Sequence, residues 1–171
     1  MVSAMRASPL SDLRPRRRPI TRTVTVLARN NELTERVRAE LVEQGLRPID
    51  GVPGHNAAMI FHSHVVSREQ TCYTEGWALE DPDYPFTFPR WHAWATVRQD
   101  GTDHVVDITP GWFDRRHALY APLYTYGIAE ALDRGILPIH GDRLHWMHHP
   151  MDWPNAPGGT IQVTSFEPDA A

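Results

Sequence analysis

His92 and Asp107 lie on either side of the dipeptide Asp100-Gly101, and that arrangement makes them candidates for joint chemistry. Asp-Gly between two alternating runs marks a two-residue hairpin turn. Such a turn opposes Gln99 to Thr102, so opposed residue numbers sum to 201 and Trp94 stands across from Asp107. His92 shares a face with Trp94 and therefore with Asp107, a diagonal neighbour roughly 7–8 Å away at the backbone and closer at the side chains. A hydrogen bond from imidazole to carboxylate is feasible there. A loop of three residues would shift the register by one and send the pair to opposite faces. A carboxylate on one ring nitrogen fixes the tautomer and favours the protonated ring, so that the other nitrogen can serve a nucleophile as acid and base. The plainer reading is a cross-strand ion pair of the ordinary kind.

The nucleophile is harder to find. Cys72 is the one thiol in the chain, on a predicted strand rather than at a helix start, where most cysteines are small buried apolar residues. It is a candidate catalytic residue only if it faces His92 across the sheet. Four histidines, His140, His145, His148 and His149, offer metal-like spacing, but Pro138, Gly141, Pro150 and Pro154 interrupt any regular helix there. They are read as surface or packing residues, and no metal or cofactor is assigned. His64 falls on the apolar face of a predicted helix and is expected to be a satisfied core histidine, with His62 pointing elsewhere. Trp77, Trp91 and Trp94 converge on the proposed centre in this reading, and Tyr84, Phe86 and Phe88 lie on the loop between them. They are core aromatics or the apolar wall of a small-molecule pocket.

The elements that would position these residues follow from periodicity. Thr21 to Arg29 alternates as a strand. A helix capped by Asn30 or Asn31 repeats Leu33, Val37 and Leu41 and ends at Gly45 and Pro48. After the Pro53-Gly54 turn, a second helix is expected from Asn56 to Arg68. Thr71 to Leu79 reads as a strand with Cys72, Thr74, Gly76 and Ala78 on one side and Tyr73, Glu75, Trp77 and Leu79 on the other. The proline-rich 80–89 segment is a loop. The hairpin covers His92–Arg98 and His104–Ile108, a third helix is expected from Pro122 to Arg134, and Thr160 to Phe166 closes the chain as a short strand.

The ordered motifs Tyr73-Thr-Glu-Gly-Trp-Ala-Leu79, His92-Ala-Trp94, Asp100-Gly101 and Val106-Asp-Ile-Thr-Pro110 resemble the transglutaminase-like branch of the papain-like Cys-His-Asp superfamily, in its small bacterial members. Tyr124-Thr-Tyr-Gly-Ile128 is similar to a Tyr-x-Gly-Val/Ile stretch found downstream in some of them. The resemblance covers about residues 53–128. It implies that His92 is the catalytic histidine, that Asp107 orients it, and that the nucleophile is a cysteine at the start of the preceding helix, where the helix dipole lowers the thiol pKa. That place reads Val52-Pro-Gly-His-Asn-Ala57, with neither Cys nor Ser. His55 and Asn56 stand where the motif's polar residues would be, and with Glu75, Trp77 and Trp94 they complete the expected substrate-binding set.

Composition frames the rest. The 171 residues, 41% hydrophobic and 22% charged, suit one soluble domain with a core. Residues 1–38 carry nine Arg against three acids, a net of +6, while the remaining residues carry eight Arg against 18 acids, a net of −10. All basic residues are Arg, which excludes a Schiff-base or P-loop lysine. The 1–19 segment, with Arg14-Pro-Arg-Arg-Arg-Pro19, is expected to be a disordered basic arm, and 20–171 a single domain. The arm lacks the aromatic residues of a single-strand binder, so nucleic acid is disfavoured as a partner. No apolar run reaches the roughly 18 residues of a membrane span, and a lone cysteine needs no oxidising compartment, so the expected setting is cytoplasmic.

The expected architecture is therefore α+β, transglutaminase-like or papain-like, with helices packed on a small antiparallel sheet. The expected function is acyl transfer or amide or ester hydrolysis on a small-molecule or peptide substrate, with His92, Asp107 and Cys72 or a water at the centre. The alternative is a member without catalysis that binds a small molecule or protein in the same cleft.

Overall fold

The computed structural model describes residues 19–83, 87–111, 116–133 and 153–166. In chain order these form β1 (Pro19–Thr25), β2 (Leu27–Ala28), α1 (Asn31–Glu43), α2 (Pro53–Met59), β3 (Thr71–Leu79), β4 (Arg90–Gln99), β5 (Thr102–Val106), β6 (Leu119–Gly127), α3 (Ile128–Asp133) and β7 (Thr160–Phe166). Short 3₁₀ turns occupy Ile60–His62 and Arg68–Gln70.

Five strands pair in the order β2-β6-β3-β4-β5, every neighbour antiparallel. The two ends of that order nearly meet. Arg29, just past β2, bridges Val105 of β5, and the Asn30 N–H donates to the Val105 carbonyl at 2.9 Å. The sheet is thus an almost closed barrel whose lumen is filled by side chains, as small barrels require. Leu27, Ala78, Trp94, Val105, Ala118 and Tyr120 pack there. The outward positions build three further clusters. Leu33, Val37 and Leu41 of α1 cover Ala95, Val97, Val106 and Ile108. Ala57, Phe61 and Ala131 cover Tyr73, Ala93 and Tyr126. The separate β1–β7 ribbon lays Val24, Ile161 and Val163 over Trp77, Leu79, Leu119 and Ala121.

This corrects the expected fold class. The described residues are sheet-dominated, 39% strand against 26% helix, and wrap into a barrel rather than offering a small sheet to a helical layer. The cause is β6, which lies between β2 and β3 in the strand order, whereas the sequence pattern predicts a helix over most of it. Pro122 breaks a ladder in either element, but here it sits opposite Gly76 where the β3–β6 register shifts between Glu75 and Gly76. Proline is tolerated at such an irregularity. Gly76 is required there, since a Cβ would lie 2.1 Å from the Ala121 carbonyl oxygen and 3.0 Å from Trp94 Cη2. Among the described residues of the expected helix, Ile128–Asp133 are helical.

Other expectations divide in the same way. The Asn30 cap accepts from the Leu33 N–H at 3.0 Å, and Gly45 ends α1 at φ +81°. β3 and β7 have the expected bounds. The second helix stops early, however, because Ser63 turns the chain into extended conformation. The run Thr21 to Arg29 divides between β1 and β2, which belong to different sheets. Residues 1–18, Tyr84, Phe86 and the His140–His149 group lie outside the described residues.

Candidate functional site

The hairpin places the two central residues. Asp100 and Gly101 take φ values of 50° and 77°, and the ladder runs Gln99↔Thr102 to Ala95↔Val106, each pair summing to 201. Positive φ at both turn positions matches the right-handed strand twist. Even-numbered residues of β4 therefore face the lumen, and so do Val105 and Asp107. His92 Nε2 and Asp107 Oδ2 are 2.8 Å apart, each side chain 1% exposed.

Three donors converge on Asp107. Besides His92, the Tyr120 hydroxyl donates to Oδ2 at 2.8 Å and the Thr109 backbone N–H to Oδ1 at 3.0 Å. Burial works against the carboxylate, but the His92 charge and these hydrogen bonds outweigh it and hold Asp107 below the usual carboxylate range. Trp94 stacks along His92, with ring centroids 6.4 Å apart and 20° between planes, and meets Tyr120 edge-on at 5.0 Å. The imidazole is thus held by a charged partner and an aromatic slab, which restricts it to one orientation.

Asn56 acts one layer out. It receives the Ile49 N–H at 2.8 Å, donates to the Ile49 carbonyl at 2.7 Å and reaches Thr109 Oγ1 at 3.4 Å. A buried amide thus ties the 49–52 segment to the turn that carries Asp107. Between those two walls opens a cavity of about 330 Å³, lined by Asp50, Gly51 and Pro53 on one side and Arg90, Trp91, His92, Thr109 and Pro110 on the other. His92 borders this space although almost none of its ring surface is open to bulk water.

The other expected residues are distributed more widely. Cys72 shares the lumen face but pairs with Thr96, whereas His92 pairs with Gly76. The two positions are offset by four residues along the ladder, roughly 13 Å at the rise of a β-strand, so the thiol and the imidazole are not brought together. Burial pushes the Cys72 thiol up, Asp103 adds to the shift, and Arg98 offsets part of it. Glu75 and Trp77 face outward. Glu75 is buried and accepts from the Tyr73 hydroxyl at 2.8 Å, and that burial and the Glu75 charge push the Tyr73 phenol far above its usual range. Trp77 meets Trp91 edge-on at 5.5 Å, away from the lumen, so of the three tryptophans Trp94 alone lies beside His92 in the lumen. His55 is exposed and lines a different cavity. His64 is also exposed rather than in the core, its Nδ1 2.8 Å from Glu40 Oε1.

Tyr120, Asp50 and Arg90 are additions that the sequence reading did not single out. Thr109 had a visible signal, because Asp-x-Thr-Pro places an N–H two residues after a carboxylate, the spacing of an Asx turn. Comparison with protein-family models, curated proteins and solved structures returns no match to this chain. Among the described residues no three metal-binding side chains gather, and no helix is long and apolar enough to cross a membrane.

Proposed function

We propose that the chain is a hydrolase-type protein for an ester or amide, in which His92 activates water at the floor of the 330 Å³ cavity. The observation that carries this reading is the buried His92–Asp107 hydrogen bond bordering that cavity. With Asp107 on Nε2, proton exchange falls to Nδ1. Nδ1 takes a proton from water as the water oxygen bonds to the carbonyl carbon, and the imidazolium formed is stabilised by Asp107. The same proton then passes to the departing alcohol or amine oxygen or nitrogen as its bond to carbon breaks. Arg90 supplies positive charge at the cavity wall, and Trp91 supplies an apolar surface. Phe88, 68% exposed two residues before Arg90, and Ile49 and Val52, exposed on either side of Asp50 and Gly51, favour a small-molecule or peptide substrate with an apolar part. A single cysteine held as the thiol suits the cytoplasm.

The test is hydrolysis of a p-nitrophenyl ester series and of matching anilides. His92→Ala is expected to lower kcat/KM by about a hundredfold or more, and Cys72→Ala to leave it unchanged. Hydrolysis that persists in His92→Ala would overturn the reading. A second reading, ligand binding without turnover, is favoured by the absence of Cys and Ser from the described lining of the cavity. Thermal stabilisation by an ester that the protein never cleaves would select it.

A further inference from the structure

A second cavity of about 370 Å³ lies on the other side of α2 from the His92 cavity, which meets α2 at Pro53. It opens where two apolar clusters part. Leu46 and Met59 belong to the cluster under α1, whereas Phe61, Ile128 and Ala131 belong to the one under α3. Ala58 completes an interior with no polar side chain. The polar residues in its lining are His55, His62 and Arg68. All three are exposed; Arg68 is a cation, and each imidazole offers a ring N–H donor. Arg68 is fixed at this edge by its Nε–H, which donates to the Phe61 carbonyl at 2.9 Å. The described lining contains no acid, although acids outnumber bases in the chain, 21 to 17.

We infer that this cavity binds an anionic amphiphile, an apolar chain or ring seated against Met59 and Phe61 with a carboxylate at Arg68 and the two histidines. An apolar interior supplies the favourable desolvation, and one cationic edge selects for charge and fixes the direction of entry. A neutral molecule of the same length would gain the first contribution and lack the second. The site does not depend on the chemistry assigned to His92, because no residue lines both cavities.

Calorimetric titration of the full chain with octanoate, and separately with 1-octanol, tests it. Octanoate is expected to bind one per chain and octanol about tenfold more weakly. Arg68→Gln is expected to weaken octanoate about tenfold while leaving octanol unchanged, and Arg68→Lys to restore most of the loss. Ala58→Phe, which fills the interior, is expected to abolish both. No heat with octanoate, octanol binding as tightly as octanoate, or octanoate affinity unchanged by Arg68→Gln would each overturn the proposal. The Arg68 variants change an exposed side chain and keep the test decisive if Ala58→Phe fails to fold.

Discussion

Two histidine–carboxylate pairs in this molecule have the same length and opposite surroundings. His92–Asp107 and His64–Glu40 both measure 2.8 Å between nitrogen and oxygen. The first pair is 1% exposed on both sides, in the barrel lumen, whereas His64 is 86% exposed and Glu40 21%. The contact distance therefore says little about what either pair does. Asp107 is buried and does not line the cavity that His92 borders, so water does not readily take its place, and each member fixes the protonation and orientation of the other. At the surface the imidazole is screened and replaceable, and Glu40 takes its main support from Ser63 and from backbone N–H groups of His64 and Val65.

Removing the carboxylate from each pair gives the largest contrast. Asp107→Ala leaves His92, the Tyr120 hydroxyl and the Thr109 N–H without their acceptor in a closed space. The expected cost is about 3–5 kcal/mol of unfolding free energy in urea titration, the range for breaking a buried pair. Glu40→Ala should cost about 1–2 kcal/mol, since water reaches the groups it leaves behind. If the two costs came out equal, or in the reverse order, burial would not be what separates the pairs.

The lumen pair was legible in sequence because its register is local. Asp100-Gly101 fixes the turn, the turn fixes parity, and parity brings His92 and Asp107 to one face without reference to the rest of the chain. Barrel closure is not local in this sense. It depends on β6 inserting between β2 and β3, and Pro122 disguises that strand because the irregularity that accommodates it belongs to the partner, Gly76. Tyr120, Tyr124 and Tyr126, with Thr125, carry the β-forming composition that would have argued for a strand. The exposure of His64, against a helical pattern that predicts it on the apolar face, has a similar reason. Helical periodicity continues past His62, but Glu40, some twenty residues earlier, captures Ser63, His64 and Val65 in a turn.

The surface carboxylate can be isolated by pH. Ser63 is the main group holding Glu40 at about 2, below its ordinary 4.5, with the His64 and Val65 contacts adding to it against the opposing effect of burial. A depressed folded-state pKa means a contribution fully present above the ordinary value and lost as pH falls from about 4.5 through about 2. The gap in unfolding free energy between wild type and Glu40→Gln should accordingly be widest near pH 6 and close steadily between pH 4.5 and 2. Urea titrations of both proteins at matched pH measure it. A gap that stays constant through that window would show that Glu40 acts by packing rather than by charge.

The smallest expected effect belongs to the most visible partner. His64→Ala removes the ring at 2.8 Å from Glu40 yet keeps the backbone N–H that donates to both carboxylate oxygens at 2.9 Å. Gln44 Nε2 lies 3.3 Å from the same ring nitrogen, another solvent-facing contact with little to lose. The change in stability should stay within about 0.5 kcal/mol, as for exposed ion pairs generally. Ser63→Ala, which deletes the hydroxyl donor to Glu40 and also the acceptor for the Val65 N–H, should cost more than His64→Ala. The reverse order in thermal melts would make the exposed ring, not the turn beneath it, the group that Glu40 serves.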